Sequence, residues 1–261
     1  MLWDCTYDMH SFVNKYKHLS ALFISSFLQF LRGIPCVFLY FVVPLCGCFS
    51  LSVRLLPMRY LVFDDMTQCT PAEVARLLPL VSAQRREQAL RFSHTFGQFC
   101  CLKSYTMLLT LLREWATEHP TSHPASPAFA EPPSFIYNHH GQPQLEAGPC
   151  FSISHCRHAI AVAVSDCPVG IDVESVRPLR PELVAKTMNT VEQTLIATSS
   201  QPDRTFTRLW TRKEALLKLR GTGIIADLHH TLEDCANVSF STMDDPRQPY
   251  ILTIALDTMP I

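Results

Sequence analysis

Three carboxylates are the residues of this chain best suited to chemistry: Asp172 and Glu174 in GIDVE, and Glu214 in WTRKEALLK. On an extended strand Asp172 and Glu174 leave the same face, while Ile171 and Val173 turn the other way toward a core. Carboxylates this close repel each other unless a cation lies between them. Trp210, Lys213, Glu214, Leu217 and Lys218 fall at i, i+3, i+4, i+7 and i+8, one stripe of a helix. A wholly solvated helix would place its charges opposite Trp210 and Leu217. Here Glu214 and Lys218 are drawn toward the buried side, where each needs a partner. The bland alternatives are a solvated strand edge and a surface Glu–Lys pair. The favoured expectation is that Asp172, Glu174 and Glu214 converge on one divalent metal, with Lys213 and Lys218 beside it to hold a phosphate-bearing ligand. Hard oxygen donors select Mg²⁺, whose coordination is completed by water and substrate phosphate.

Weaker candidates surround this core. Ser154 and His155 in FSISHC follow a short strand and could hydrogen-bond a phosphate or an adenine ring, although His155 alone reads as a structural loop histidine. Arg85, Arg86 and Arg91 read as a solvated helix face, and Glu192 as a solvated helix glutamate.

The elements that must position these side chains follow from pattern. A strand is expected at Tyr60 to Phe63, a helix opening with proline at Pro71 to Leu80, and a second, mostly buried helix that runs through Ala83 to Phe92 and continues over Phe96 to Trp115. Residues 119–149, rich in proline, histidine and glycine, read as a loop with at most one short strand at Ser134 to Tyr137, and as the seam between two subdomains. Strands follow at Cys150 to Ser154, Ala159 to Val164 and Val169 to Val176, then helices at Pro181 to Ala197 and Asp203 to Leu219, the last capped at Gly221. The tail reads as strands.

With 261 residues, 48% hydrophobic and 17% charged, the chain can form one compact domain or two small subdomains sharing a core. A net charge of -1 gives no basic footprint for nucleic acid, so a bound phosphate belongs to a small molecule. Eleven cysteines, an odd number without CxxC spacing, argue against a disulfide framework or a zinc site and fit a reduced cytoplasmic setting. Residues 34–53 are uncharged and long enough to span a bilayer, so a membrane anchor is one reading of the N-terminus. The favoured reading is an overextended start, because MRYLVFDD from Met58 begins like a first strand. The expected organisation is an apolar extension at 1–57, an N-terminal half with proline-rich linker at 58–149, and a C-terminal half carrying the metal site at 150–261.

Taken in order, FSISH, GIDVE, WTRKEALLK, Gly221 and Gly223 resemble the 4′-phosphopantetheinyl transferases of the surfactin-synthetase-activating type. That family's G-x-D-x-E and W-x-x-K-E-A-x-x-K positions are met by Gly170, Asp172, Glu174, Trp210, Lys213, Glu214, Ala215 and Lys218. The resemblance is strongest from Phe151 to Gly223 and does not extend to the first 57 residues. It implies an α+β fold of two similar halves, each a small antiparallel sheet with a long helix, related by a pseudo-twofold axis. It also implies Mg²⁺-dependent transfer of 4′-phosphopantetheine from coenzyme A to a serine of an apo acyl or peptidyl carrier protein, by a monomeric enzyme. Asp172, Glu174 and Glu214 would hold the metal and Lys218 would clamp a phosphate oxygen, with Glu214 or a metal-associated water as general base. Ser154, His155, Arg91, Lys103 and Lys213 would contact coenzyme A. Where the family often has G-K-P, this chain has Gly141, Gln142 and Pro143, so one positive charge near coenzyme A is missing. Two rival readings are a Mg²⁺-dependent phosphohydrolase or nucleotidyl transferase acting on a small phosphate ester, and a non-catalytic coenzyme A or carrier-binding protein.

Overall fold

Strand pairing divides the chain differently from its loop composition. The computed structural model describes residues 58–119, 129, 131–223 and 227–258. The 34–53 segment lies outside the described residues, and among those described no helix is long and apolar enough to cross a membrane. The first strand, β1 (Met58–Phe63), is followed by the short helix α1 (Pro71–Leu77), then α2 (Ala83–Leu90) and the 24-residue α3 (Thr95–Glu118). A minimal hairpin, β2 (Ile136–Tyr137) and β3 (Pro143–Gln144), interrupts the expected loop and adds a strand to the one foreseen there. Next come β4 (Cys150–His155) and β5 (Ile160–Ser165), and β5 pairs antiparallel with both β4 and β1.

The first sheet therefore has the order β1-β5-β4. Its central strand, IAVAVS, is buried along its whole length, which is why it reads as a continuous apolar run without alternation. Phe99, Leu102, Leu108 and Leu112 of α3 pack in the same core as Ile160, Val162 and Val164.

After three residues the pattern repeats. Strand β6 (Val169–Ser175) leads into α4 (Pro181–Thr187), α5 (Thr190–Ala197) and the 19-residue α6 (Pro202–Arg220), then β7 (Val238–Met243) and β8 (Tyr250–Asp257). The second sheet has the order β6-β8-β7: again the first strand pairs the last, and the last pairs the one before it. This is the α+β architecture of two similar halves. The join lies at 166–168, not in 119–149, because β4 and β5 complete the sheet begun by β1. Proline and histidine mark irregular backbone; they carry no information about which sheet the following strands enter. The expected 181–197 helix is broken at Met188, where an extended backbone ends α4 and Asn189 caps α5.

Helix α6 lies directly on β6, and Gly170 makes this approach feasible. A Cβ at Gly170 would sit 1.9 Å from the carbonyl oxygen of Ala215, a backbone atom that cannot step aside. At its far end α6 stops at Gly221, whose φ of 67° is the left-handed conformation glycine adopts without a Cβ penalty. Two hairpin side chains then take the exposed carbonyls of the last turn. Gln142 Nε2 donates to Lys218 O at 2.6 Å, and Asn138 Nδ2 to Gly221 O at 3.1 Å. Gln142 thus has a structural task that the missing lysine charge does not touch.

A turn following residue 226 is held against α4 by His229. Its Nε2 is 3.0 Å from Ala185 O and its Nδ1 is 2.9 Å from Asp227 Oδ1; both partners are acceptors, so both ring nitrogens must carry protons. The Ala185 carbonyl, then Asp227, raises the imidazole pKa above 6.5. A raised folded-state pKa means the bridge contributes fully below pH 6.5 and is lost as pH rises through the elevated value.

Two outcomes are expected. Gly170→Ala should destabilise the fold by at least the ~1–3 kcal/mol typical of overpacking, read as a lower urea midpoint; an unchanged midpoint would mean α6 does not bear on β6 at this point. An NMR titration of His229 should give a midpoint above 6.5, and one at or below that value would show the double bridge absent.

Candidate functional site

Asp172 sits at the meeting of three elements and is only 3% exposed. Strand β6 pairs with β8 along one edge; on the other, the amides of Ile171 and Val173 donate to Ser152 Oγ (3.0 Å) and Ser154 Oγ (3.2 Å) of β4. Two serines at i, i+2 thereby stitch the first sheet to the second. Ser154 Oγ then donates its own hydrogen bond to Asp172 Oδ1 at 2.8 Å. Lys218, reaching from the last turns of α6, donates to the same oxygen at 2.7 Å and to Ile171 O at 3.1 Å.

Oδ1 is thus doubly bonded while Oδ2, also buried, has no hydrogen-bond partner; Glu214 Oε1 is likewise buried and unpartnered. Unsatisfied buried carboxylate oxygens are costly unless something not shown completes them. Burial, then the nearby Asp172 charge, raises the Glu214 pKa. The same two causes push Glu174 up to about 6, against the opposing pull of Arg177 and Lys218. The acids therefore sit where positive charge is deficient.

Two clefts are lined by residues of this region. One, of about 400 Å³, is lined by Phe96, His155, Cys156, Arg157, Glu174 and Arg177. The other, of about 260 Å³, lies between the β2–β3 hairpin and α6, with Glu214, Lys218 and Gln142 in its wall. His155 meets Phe96 edge-on at 6.2 Å. Although exposed at the cleft mouth, its ring is hemmed in enough that desolvation, then Lys218 and Arg85, lowers its pKa.

The structure brings Asp172, Glu174, Glu214, Lys218, Ser154 and His155 into one region. It does not do the same for the others. Lys213 is fully buried, and its ammonium is saturated by Thr187 O (2.7 Å), Glu192 Oε2 (2.7 Å) and Leu228 O (2.8 Å), so it has no proton left for a phosphate. Burying so short a stripe of α6 consumed the charge that the helical pattern placed near the metal. Ser154 is also committed, as donor to Asp172 and acceptor from Val173, and acts on the carboxylate in place of a nucleotide. Arg91 is exposed and paired with Glu87, while Lys103 lies 4.0 Å above the Phe63 ring; neither lines either cleft.

Two solvated-face readings are also corrected. Arg85 is buried and donates to Cys101 O, Gln88 and Ser104, and Glu192 is 7% exposed. The sequence did hold a signal for Glu192: Asn189 and Glu192 stand at capping-box spacing, and both reciprocal bonds form. Arg157 and Arg177 line the larger cleft with Glu174, and an isolated arginine in a loop carries no periodic signal that would reveal it in the sequence.

A family-wide sequence model described as the 4′-phosphopantetheinyl transferase superfamily matches residues 168–257, the span from the join to the end of β8. Among similar curated proteins, a 4′-phosphopantetheinyl transferase of Bacillus subtilis is 27% identical over 195 residues, covering 71% of this chain and 81% of that one. The 4′-phosphopantetheinyl transferase AcpT of Salmonella typhi is 32% identical over 128 residues, covering 46% of this chain and 67% of that one. This chain belongs to the 4′-phosphopantetheinyl transferase superfamily. The 4′-phosphopantetheinyl transferase Sfp of Bacillus subtilis (strain 168) is 23% identical over 193 residues, covering 71% of this chain and 81% of that one.

A magnesium ion is what the family resemblance implies for these acids. Among the described residues no three His, Cys, Asp or Glu side chains are gathered as at a formed metal centre. The donor chemistry nonetheless suits a hard cation, because the two unpartnered buried oxygens are both carboxylate oxygens on facing elements. Ser154→Ala strips one bond from Asp172 Oδ1 and the acceptor from Val173 N. The expected loss is ~1–3 kcal/mol of stability by chemical denaturation, whereas a loss under about 0.5 kcal/mol, the scale of a neutral surface change, would show the seam does not depend on this hydroxyl.

Proposed function

We propose that this chain transfers 4′-phosphopantetheine from coenzyme A to a serine hydroxyl of an apo acyl or peptidyl carrier protein, with Mg²⁺ held by Asp172, Glu174 and Glu214. The observation that carries the reading is the pair of buried, unpartnered carboxylate oxygens on Asp172 and Glu214, with Lys218 bonded to Asp172 and opening into the adjacent cleft. When bound, the cation would neutralise charge on the coenzyme A pyrophosphate and on the departing phosphate.

The chain's own groups do the remainder. Lys218 is partly exposed, so its ammonium can share its third proton with a phosphate oxygen while Asp172 keeps its orientation. The serine oxygen forms a bond to the phosphorus of the phosphopantetheine half, the bond from that phosphorus to the bridging oxygen breaks, and adenosine 3′,5′-bisphosphate departs. The serine proton goes to a general base beside the cation, either the Glu214 oxygen that does not hold it or a metal-associated water. Arg157 and Arg177 add positive charge at the mouth of the larger cleft, where the acidic phosphates would enter. The carrier would dock beside the clefts, and one chain with both halves forms the whole site, in keeping with a monomer acting in the cytoplasm.

Intact-protein mass spectrometry of an apo carrier incubated with this protein, coenzyme A and Mg²⁺ should show the phosphopantetheine mass on the carrier. Asp172→Ala should lower the rate by roughly 10²–10³-fold, the scale of losing one preorganised electrostatic contact. A carrier that gains nothing, or gains it equally with Asp172→Ala, defeats the reading. Coenzyme A consumed with no mass on the carrier would favour the phosphohydrolase.

A further inference from the structure

We infer that Lys213 is a positioning residue: a buried strut that fixes the rotation of α6 and so aims Glu214 at Asp172. Lys213 and Ala215 flank Glu214 in sequence, about 100° to either side of it around the helix. Each is anchored by something that cannot slide. Ala215 is pressed against β6, where the missing Cβ of Gly170 leaves room for its carbonyl. Lys213 is tied to three separate segments by its three ammonium protons: the carbonyl of Thr187 at the end of α4, the carboxylate of Glu192 in the first turn of α5, and the carbonyl of Leu228 in the following turn.

Glu192 is itself fixed. The oxygen that accepts from Lys213 also accepts from Asn189 N at 2.8 Å, and Asn189 Oδ1 accepts from Glu192 N at 2.9 Å. Asn189 Nδ2 reaches His229 O at 3.3 Å, joining the same turn from the other side. The capping box that starts α5 is thus shared with the ion pair that holds α6. Rotation of α6 in either direction must break bonds to Lys213 or drive Ala215 into β6, and Glu214 lies between the two restraints. A lysine serving only to bind substrate would not be sealed at 0% exposure with every proton assigned.

The test uses the full chain in three variants. Lys213→Met leaves Glu192 buried without its cation, whereas Lys213→Met with Glu192→Gln removes both charges and keeps an acceptor for Asn189 N, so the capping box survives. Three quantities are read: Mn²⁺ affinity of the substrate-free protein, amide exchange across 211–218, and KM for coenzyme A in carrier modification. In Lys213→Met, Mn²⁺ affinity should fall about tenfold, as for other residues that orient a metal ligand, and exchange across 211–218 should quicken. The double variant should regain much of both, and KM for coenzyme A, read at saturating Mg²⁺ so that the metal site is filled in every variant, should stay within about twofold throughout. A tenfold higher KM in the double variant with normal Mn²⁺ affinity would overturn the inference by making Lys213 a substrate contact. Unchanged Mn²⁺ affinity and unchanged exchange in Lys213→Met would overturn it too. If that variant does not fold, Glu192→Gln alone should shift both in the same direction by less, and no shift overturns the strut. The inference rests on the transferase reading only for its metal arm: a wild-type protein that binds no Mn²⁺ defeats the magnesium assignment, and amide exchange alone then decides the strut.

Discussion

The placement of one buried carboxylate, Asp172, constrains everything around it. A carboxylate that is 3% exposed must be compensated from close range, and two donors on different elements do so. Ser154 supplies a hydroxyl from β4, Lys218 an ammonium from α6, and β6 itself provides the backbone that both partners also bond. The two halves of the fold are consequently joined at the point where the chemistry sits. A change that moved β4 away from β6 would expose the Val173 amide and undo the orientation of Asp172 in the same step.

That dependence explains how unequal the halves are despite their shared strand order. The second half carries Asp172, Glu174, Glu214 and Lys218, and the family-wide sequence model matches within this half. The first contributes the serines and His155 from β4, and the buried helix α3 that makes β5 a rigid support. Its helices bring charge to the surface or to internal bonds, as Arg91 and Arg85 show, and give the larger cleft only an apolar wall at Phe96. An internal repeat of topology has been kept where it builds a seam, while the reactive groups are concentrated on one side of that seam.

Much of this was legible in the sequence, for reasons that are physical. Alternation through GIDVE placed Asp172 and Glu174 on one face, and the helical stripe through WTRKEALLK drew Glu214 and Lys218 inward, because both patterns depend only on local geometry. Gly221 was found as a cap because its left-handed φ selects glycine. Long-range pairing was not legible: nothing in 119–149 reveals that β4 and β5 return to β1, so a second half expected to begin at 150 begins only after Pro168, about eighteen residues later. Nor does periodicity distinguish a lysine that reaches solvent from one that is sealed.

Three charged residues within six positions of α6 show what that distinction costs a sequence reading. Lys213 is saturated and buried, Glu214 keeps one oxygen without a partner, and Lys218 is bonded yet part-exposed. All three follow from a single helix lying between β6 on one flank and the α4–α5 junction on the other. Around the helix, Lys213 faces the junction with every proton bonded, whereas Glu214 and Lys218 both line the cleft. Availability for chemistry is therefore set by what is packed across from each position, and the residue type alone fixes only that a partner must exist.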